Sequence, residues 1–230
     1  MRIALLGYGK MGRMIESLAP GCGCVVAGVV DSPRDPLPAE FDVAIDFTEP
    51  AAVIENVRRI GESGRDIVIG TTGWLDDLDD VSSVASQAGI GLVYAANFSV
   101  GVNVFFRLVE RAAELLRDRD EYEAWAYEIH HSAKKDAPSG TLLQLVETMR
   151  TAGYPKAVDV ASNRAGRVPG THTIGFDSGP DTITLTHTAR SREGFASGAL
   201  LAAKLVHGKK GAFRFVDLLD GSDGQSAKAT

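Results

Sequence analysis

Fourteen consecutive residues carry the densest set of proton-bearing and charged side chains in this chain: Glu128-Ile129-His130-His131-Ser132-Ala133-Lys134-Lys135-Asp136-Ala137-Pro138-Ser139-Gly140-Thr141. Histidine titrates near neutrality, and a lysine in suitable surroundings is drawn toward the same range, so this run can deliver or take a proton at working pH. The run leaves an alternating segment and enters a helical one, with Pro138-Ser139-Gly140 as the turn. Amides at a helix start have no intrahelical partner and suit a carboxylate. Neighbouring side chains of an extended segment point opposite ways, so His130 and His131 are expected to have different roles. The bland alternative is a solvated basic loop. Against it stands the formal net charge of −6: an acidic chain that binds an anion must concentrate positive charge locally, as two histidines and two lysines do here. A zinc site would need further ligands, and His172, His187 and His207 offer no supporting spacing.

A second constellation lies at the N-terminus. Gly7-Tyr8-Gly9-Lys10-Met11-Gly12 fits G-x-G-x-x-G directly after an apolar run and at the opening of a helical pattern. The first glycine permits a tight turn, the second lets a pyrophosphate approach the backbone, and the third allows close packing of helix on strand. Asp31 ends the next apolar run 19 residues beyond Gly12, where a carboxylate reaches ribose hydroxyls. The motif alone is weak; with its strand, helix and acid in register it predicts dinucleotide binding. Gly70-Thr71-Thr72-Gly73 and Ala95-Ala96-Asn97-Phe98-Ser99 each follow a later apolar run. At the carboxyl ends of parallel strands, both loops are expected to line the same crevice, although either could be an ordinary turn.

The elements that must hold these residues read as follows. Apolar runs at 2–6, 25–30, 43–47, 67–69 and 91–95 are expected strands, each buried on both faces. Helical patterns at 11–18, from Pro50 through Ile60, and at 78–88 separate them. Alternation of this kind predicts a Rossmann-type, doubly wound parallel sheet. Beyond it the pattern changes to a long helix at 102–116, a strand at 122–130, a helix at 141–150, alternating strands at 171–176 and 182–189, an apolar helix at 195–206 and a last apolar piece at 213–219. These predict a second, α+β substrate-binding domain with an open mixed sheet. The expected division is a dinucleotide-binding domain from 1–99 and 192–230 and a substrate-binding and oligomerisation domain from 100–191, with hinges near 99–101 and 191–194 and a frayed polar tail over 221–230.

Composition narrows the class. A chain of 230 residues, 44% hydrophobic and 23% charged, is an ordinary globular protein, and no apolar run approaches a membrane span or a signal peptide, which predicts a cytoplasmic location. The acidic balance argues against nonspecific nucleic-acid binding. Cys22 and Cys24, one residue apart, can hardly close a disulfide and lack a second pair for zinc.

The run His130-His131-x-x-Lys134-x-Asp136-Ala137-Pro138-Ser139-Gly140-Thr141 resembles the signature of 4-hydroxy-tetrahydrodipicolinate reductases. Gly70-Thr71-Thr72-Gly73, Ala95–Asn103 and Arg167-Val168-Pro169-Gly170 resemble further blocks of that family in its order, so the likeness spans nearly the whole chain. The resemblance implies reduction of a cyclic imine-type dicarboxylate by NADH or NADPH in lysine and diaminopimelate biosynthesis, without a metal. It implies His130 and Lys134 as proton-handling catalytic residues, and His131, Ser139, Gly140 and Thr141 as substrate contacts. For the cofactor it implies Gly7, Tyr8, Gly9, Lys10, Met11, Gly12, Asp31, Gly70, Thr71, Thr72, Ala95, Ala96, Asn97 and Phe98. It also implies a homotetramer built through the second domain's sheet. The chain departs from many relatives in a glycine turn one residue tighter, a short segment between Pro169 and Ile183, and Ser32 rather than arginine after Asp31. The competing readings are another small amino-acid dehydrogenase and a non-catalytic NAD(H) sensor. The first leaves the histidine–lysine run unexplained, and the second lacks a basic helix-turn-helix pattern.

Overall fold

The computed structural model describes residues 1–221; the tail expected to fray lies, apart from Gly221, outside them. The chain forms two compact units, one from Met1–Val100 together with the residues from Glu193 onward, the other from Gly101–Arg192.

In the first unit, β1 (Arg2–Leu6), α1 (Lys10–Leu18), β2 (Val25–Val30), β3 (Val43–Asp46), α2 (Val53–Glu62), β4 (Asp66–Ile69), α3 (Leu78–Ala88) and β5 (Gly91–Tyr94) alternate as the apolar runs predict. With β10 (Gly211–Arg214), six parallel strands stand in the order β10-β5-β4-β3-β1-β2. β3 and β4 are buried along their whole length because helices cover both faces. On one face Ile15, Ala199, Leu200 and Ala203 pack over Ile3, Leu5 and Val93. On the other, Val57, Ile60 and Val81 pack over Leu6, Ile67 and Leu92. Burying side chains of this size contributes roughly 1.5–3 kcal/mol each, which fixes the strand ends that carry the loops.

Most boundaries fall within one or two residues of expectation, and two differences go further. Pro50 opens a 3-10 turn, Pro50–Ala52, and the α-helix starts only at Val53. The last apolar piece divides into β10 (Gly211–Arg214) and a short helix, α7 (Phe215–Leu219). That division adds an edge strand to the parallel sheet, paired with β5.

The second unit comprises α4 (Val100–Leu116, whose first residue belongs to the first unit), β6 (Glu123–His130), α5 (Gly140–Thr151), β7 (Val158–Arg164), β8 (Thr171–Asp177) and β9 (Thr182–Thr188). The mixed sheet runs β7-β6-β8-β9, with β6 and β7 parallel and the other pairs antiparallel. α4 and α5 cover one face, where Phe105, Val109, Leu142, Leu145 and Met149 meet Ala124, Ala126, Ile174 and Phe176. The opposite face stays open, and there Thr171 and Thr173 pair with Thr188 and Thr186 at 3.1 Å. β7 is absent from the sequence reading. Val-Asp-Val-Ala-Ser-Asn-Arg is half-exposed to exposed throughout, so an edge strand here gives no apolar alternation. α6 (Glu193–Val206) returns to the first unit.

Candidate active site

The glycine turn is shaped by contacts that exclude a side chain. Gly7 sits at φ +84°, and a β-carbon on it would stand 2.5 Å from the Phe47 carbonyl oxygen. A β-carbon on Gly12 would stand 2.4 Å from the Gly7 oxygen, so the buried third glycine lets α1 approach the turn itself. Nothing lies within 4 Å of the corresponding position on Gly9, which is the N-cap of α1 and has no side-chain cap. The first amides of α1 are therefore open to an anion. Tyr8 donates its amide to Asp31 Oδ1 at 2.8 Å, tying the turn to the end of β2.

A cavity of about 340 Å³ lies over these residues and is lined by Gly7, Tyr8, Gly9 and Asp31 together with Phe47, Thr48 and Asn56, among others. The last three escaped the sequence reading, although Phe47 and Thr48 directly follow β3 as Gly70 follows β4, and the rule that ligands bind beyond strand C-termini would have found those two. Asn56 reaches the cavity from α2. Buried Asp46 organises this rim. Its carboxylate accepts from Thr48 N (2.9 Å), Thr48 Oγ1 (2.7 Å), Thr71 Oγ1 (2.8 Å) and Asn56 Nδ2 (2.8 Å). Thr71 thus braces the rim, and Gly70 gives room to the Phe47 ring, which a β-carbon would meet at 2.2 Å. Lys10 and Thr72 are exposed, and Met11 is half-buried against the core. Ala95, Ala96 and Asn97 follow β5, where Asn97 Oδ1 accepts from Ser99 N at 2.8 Å. The Phe98 side chain points into the core between Phe47 and Phe215, with ring centroids at 6.4 and 5.0 Å. Any contact it makes with a ligand is through its backbone.

In the second unit the pleat of β6 turns Ala124, Ala126, Glu128 and His130 to the covered face. The ladder then sets Glu128 opposite Ser162 of β7 and His172 of β8, and His130 opposite Arg164. Glu128 is fully buried. Its Oε1 accepts from Arg164 Nη2 (2.7 Å), Ser139 N (2.9 Å) and Ser162 Oγ (3.1 Å). Its Oε2 accepts from Ser139 Oγ and lies 3.5 Å from His130 Nδ1 and 3.4 Å from His172 Nε2. Burial alone would raise this carboxyl, but the hydrogen bonds from Ser139, Arg164 and Ser162 outweigh it and hold the pKa at about 2. Burial lowers His130, opposed by the Glu128 charge. Burial and the His130 ring beside it push His172 down to about 4.

Ser139 caps α5, accepting from Leu142 N at 3.2 Å while its hydroxyl donates to Glu128. Its oxygen is thus committed inside the protein. Gly140 is exposed and Thr141 half-buried, and their amides are first-turn donors that no intrahelical carbonyl reaches. Lys134 stands over this loop with its ammonium 2.9 Å from the Asp136 carboxylate. His131 is half-buried, and Lys135 is exposed. His130 is buried and His131 is not, as their opposite directions predict.

His172 was weighed in the sequence only as a zinc ligand, for which it offers no supporting spacing, and its place beside His130 was not foreseen. The antiparallel register brings its ring 5.0 Å from that of His130. Glu128, His130 and His172 place three potential metal-ligating atoms within 4.8 Å. Yet the carboxylate already takes four hydrogen bonds, one from a guanidinium, so the geometry is that of a hydrogen-bonded hub. Arg164 escaped notice because its strand did.

Comparison with known proteins accords with this layout. Residues 101–219 match the family described as dihydrodipicolinate reductase, C-terminus, and residues 29–98 match dihydrodipicolinate reductase, N-terminus. A 4-hydroxy-tetrahydrodipicolinate reductase of Christiangramia forsetii is 37% identical over 95% of this chain and 98% of its own. Among solved structures, a dipicolinate-bound dihydrodipicolinate reductase from Paenisporosarcina sp. TG-14 superposes with a TM-score of 0.79 at 23% identity, covering 93% of this chain and 97% of that one. GenD2 from gentamicin A biosynthesis, in complex with NAD, shares the fold at a TM-score of 0.54 and 13% identity, over 98% of this chain and 88% of its own. With both halves matched and a relative of that identity along nearly its full length, this chain belongs to the dihydrodipicolinate reductase family.

Proposed function

We propose that the chain reduces 4-hydroxy-tetrahydrodipicolinate to tetrahydrodipicolinate with NADH or NADPH, a step of lysine and diaminopimelate biosynthesis in the cytoplasm. The observation that carries this reading is the convergence, at one end of β6, of a buried histidine and an open helix N-terminus, His130 and Gly140-Thr141. On this reading the first unit binds the dinucleotide and the second the substrate. Among the described residues, no helix is long and apolar enough to cross a membrane.

The nicotinamide, when bound, supplies a hydride to an electron-poor carbon conjugated to the substrate's imine. Everything else is asked of the protein. The amides of Gly140 and Thr141 and the cation of Lys134 offset the substrate's carboxylates and orient it. His130 and Lys134 provide the proton that the neighbouring atom must gain. Gly9, with open space at its β-carbon position, would face a pyrophosphate over the start of α1, and Asp31, which lines the cavity, would hold a ribose. Loss of nicotinamide absorbance on mixing the protein, NADH and freshly generated substrate tests the reading. An aldehyde or amino acid turned over in its place would transfer the chain to another dehydrogenase class.

Asp31 lines the cavity and keeps one carboxylate oxygen bonded to Tyr8. A carboxylate there accepts from a free 2′-hydroxyl and repels a 2′-phosphate, so NADH is used at least as well as NADPH. Competitive titration checks this, and a strong NADPH preference would mean that Arg34 or Lys10 captures the phosphate. The open, threonine-rich face of the mixed sheet supports a homotetramer assembled through it, and light scattering that returned a monomer at micromolar concentration would remove that assignment.

A further inference from the structure

One carboxylate reaches both parts of the substrate-binding arrangement, and neither its position nor its chemistry fits direct contact with substrate. Glu128 is fully buried, two residues before His130 on the same face of β6, and bonded to both the amide and the hydroxyl of Ser139, the cap of α5. We propose that Glu128 is a positioning residue: its Oε2 holds the Nδ1–H of His130, leaving Nε2 to pass the proton, while the same carboxylate fixes the start of α5 that receives the substrate's carboxylate.

Three observations carry this. First, His130 Nδ1 is buried with no hydrogen-bond partner, and the carboxylate oxygen Oε2 of Glu128 lies 3.5 Å from it. A buried donor left unpaired is costly, so a small rotation that closes this gap is favourable. Second, an anion beside an anion-binding cradle would repel substrate unless neutralised. Arg164 does this, with Nη2 2.7 Å from Oε1 and a further bond to the Asp136 carbonyl, which anchors the loop between histidine and helix. Third, Gly170 closes the other side of the ring: a β-carbon there would lie 3.0 Å from His130 Cδ2 and Nε2. The imidazole is held between a carboxylate and a glycine backbone.

Fixing Nδ1–H selects the tautomer in which Nε2 alternates between donor and acceptor, and the carboxylate stabilises the imidazolium that precedes proton delivery. The charges facing His130 are Glu128, Lys134, Arg164 and Asp136, with the His172 ring beside it. Of these, Glu128 is the largest influence favouring the protonated ring, against burial.

The inference rests on the reductase reading for its purpose, and its test is read on His130 itself. In histidine-labelled wild-type protein above its titration, NMR ring correlations assigned with His130→Gln should place the neutral proton on Nδ1. Glu128→Gln should lower the His130 titration midpoint and reduce kcat/KM about tenfold or more, with the basic limb of the pH profile moved to lower pH. NADH affinity should be unchanged. Glu128→Asp, which keeps the charge, should recover part of the midpoint, whereas Ser139→Ala should raise KM and leave the midpoint in place. A wild-type neutral proton on Nε2, or a Glu128→Gln protein whose His130 titrates as in the wild type, overturns the proposal. Should Glu128→Gln fail to fold, the wild-type tautomer decides. Since neither NMR readout requires turnover, a wild-type protein that fails to oxidise NADH counts against the reductase reading instead, and the two failures are told apart.

Discussion

The ring of His130 lies against the backbone of Gly170: a β-carbon at Gly170 would stand 3.0 Å from both Cδ2 and Nε2. Gly170 is held in turn by its carbonyl, which accepts from Ala189 N at 2.9 Å, so the backbone cannot simply step aside. Gly170→Ala should therefore push the imidazole away from its proton-transfer position. A displacement of this kind costs about tenfold to a hundredfold in kcat/KM. Steady-state kinetics should show that loss while NADH titration stays at the wild-type value, because Gly170 belongs to the second unit. Unchanged kinetics would mean that the ring tolerates relocation and that the close approach carries no function.

The three glycines of the N-terminal turn should respond differently to the same substitution. Gly9→Ala adds a methyl into open space at ordinary φ, so the melting temperature should hold within a degree or two while NADH Kd rises about tenfold or more, since the methyl occupies the pyrophosphate's approach. Gly7→Ala meets the Phe47 carbonyl and a left-handed backbone, and Gly12→Ala meets the Gly7 carbonyl. Both should destabilise the first unit by roughly 1–3 kcal/mol as well as weaken NADH. Thermal unfolding paired with isothermal titration separates the cases, and a Gly9→Ala protein that binds NADH normally would place the cofactor elsewhere.

What the sequence disclosed follows from which forces are local. The parallel sheet was legible because β1, β3, β4 and β5 are buried along nearly all their length and, apart from Arg2, Asp46 and Asp66 at their ends, are apolar. The role of Ser139 as the cap of α5 comes from the structure, whereas the turn Pro138-Ser139-Gly140 was legible because turn chemistry is confined to a few adjacent residues. β7 was not, since an exposed edge strand carries no apolar period. Its loss hid Arg164 and Ser162, and with them the partners of Glu128. His172 stands 42 positions beyond His130 and meets it only through the register of β6 against β8, which no spacing rule encodes. Glu128 itself was visible as an acid at the head of the histidine run. Its burial and its hold on the helix cap depend on long-range pairing.

Acid stability should report the buried imidazole of His172. Burial and the neighbouring His130 ring lower its pKa to about 4 from an ordinary value near 6.5. Protonation therefore favours the unfolded chain: the stability is fully present above about pH 6.5 and is lost as pH falls toward 4. At about 1.4 kcal/mol per unit, that amounts to a loss of ~3 kcal/mol. Glu128, held at about 2 against an ordinary value of 4.5, loses its contribution as pH falls below about 4.5, so it overlaps only the lowest part of this window. Urea denaturation at intervals from pH 7 to 4 should show the decline for wild type and a flatter curve for His172→Gln. Parallel curves would assign the decline to other groups, beginning with His130 and His187, whose pKa values burial also lowers.

The two adjacent lysines should separate most clearly. Lys134 is three-quarters covered, with its ammonium 2.9 Å from the Asp136 carboxylate, four residues after His130, whereas Lys135 is exposed. The Asp136 pair holds the Lys134 head over the loop that joins β6 to α5, and the Asp136 carbonyl is itself anchored by Arg164. Lys134→Met should then lower kcat/KM by about a hundredfold or more, the scale of losing an acid–base or charge-stabilising group. Lys135→Met should act only through the local field that draws in a dianionic substrate, so its smaller effect should shrink as salt is added. Asp136→Asn offers a third arm. Releasing the ammonium from its carboxylate should cost less than removing it, because the cation remains available to substrate. Steady-state kinetics at low and high ionic strength, with NADH titration expected to be unchanged in all three variants, provide the measurement. If Lys135→Met proved as damaging as Lys134→Met at high salt, the assignment of Lys134 as the lysine that meets the substrate would be wrong, and the Asp136 pair would be a surface contact with no part in the reaction.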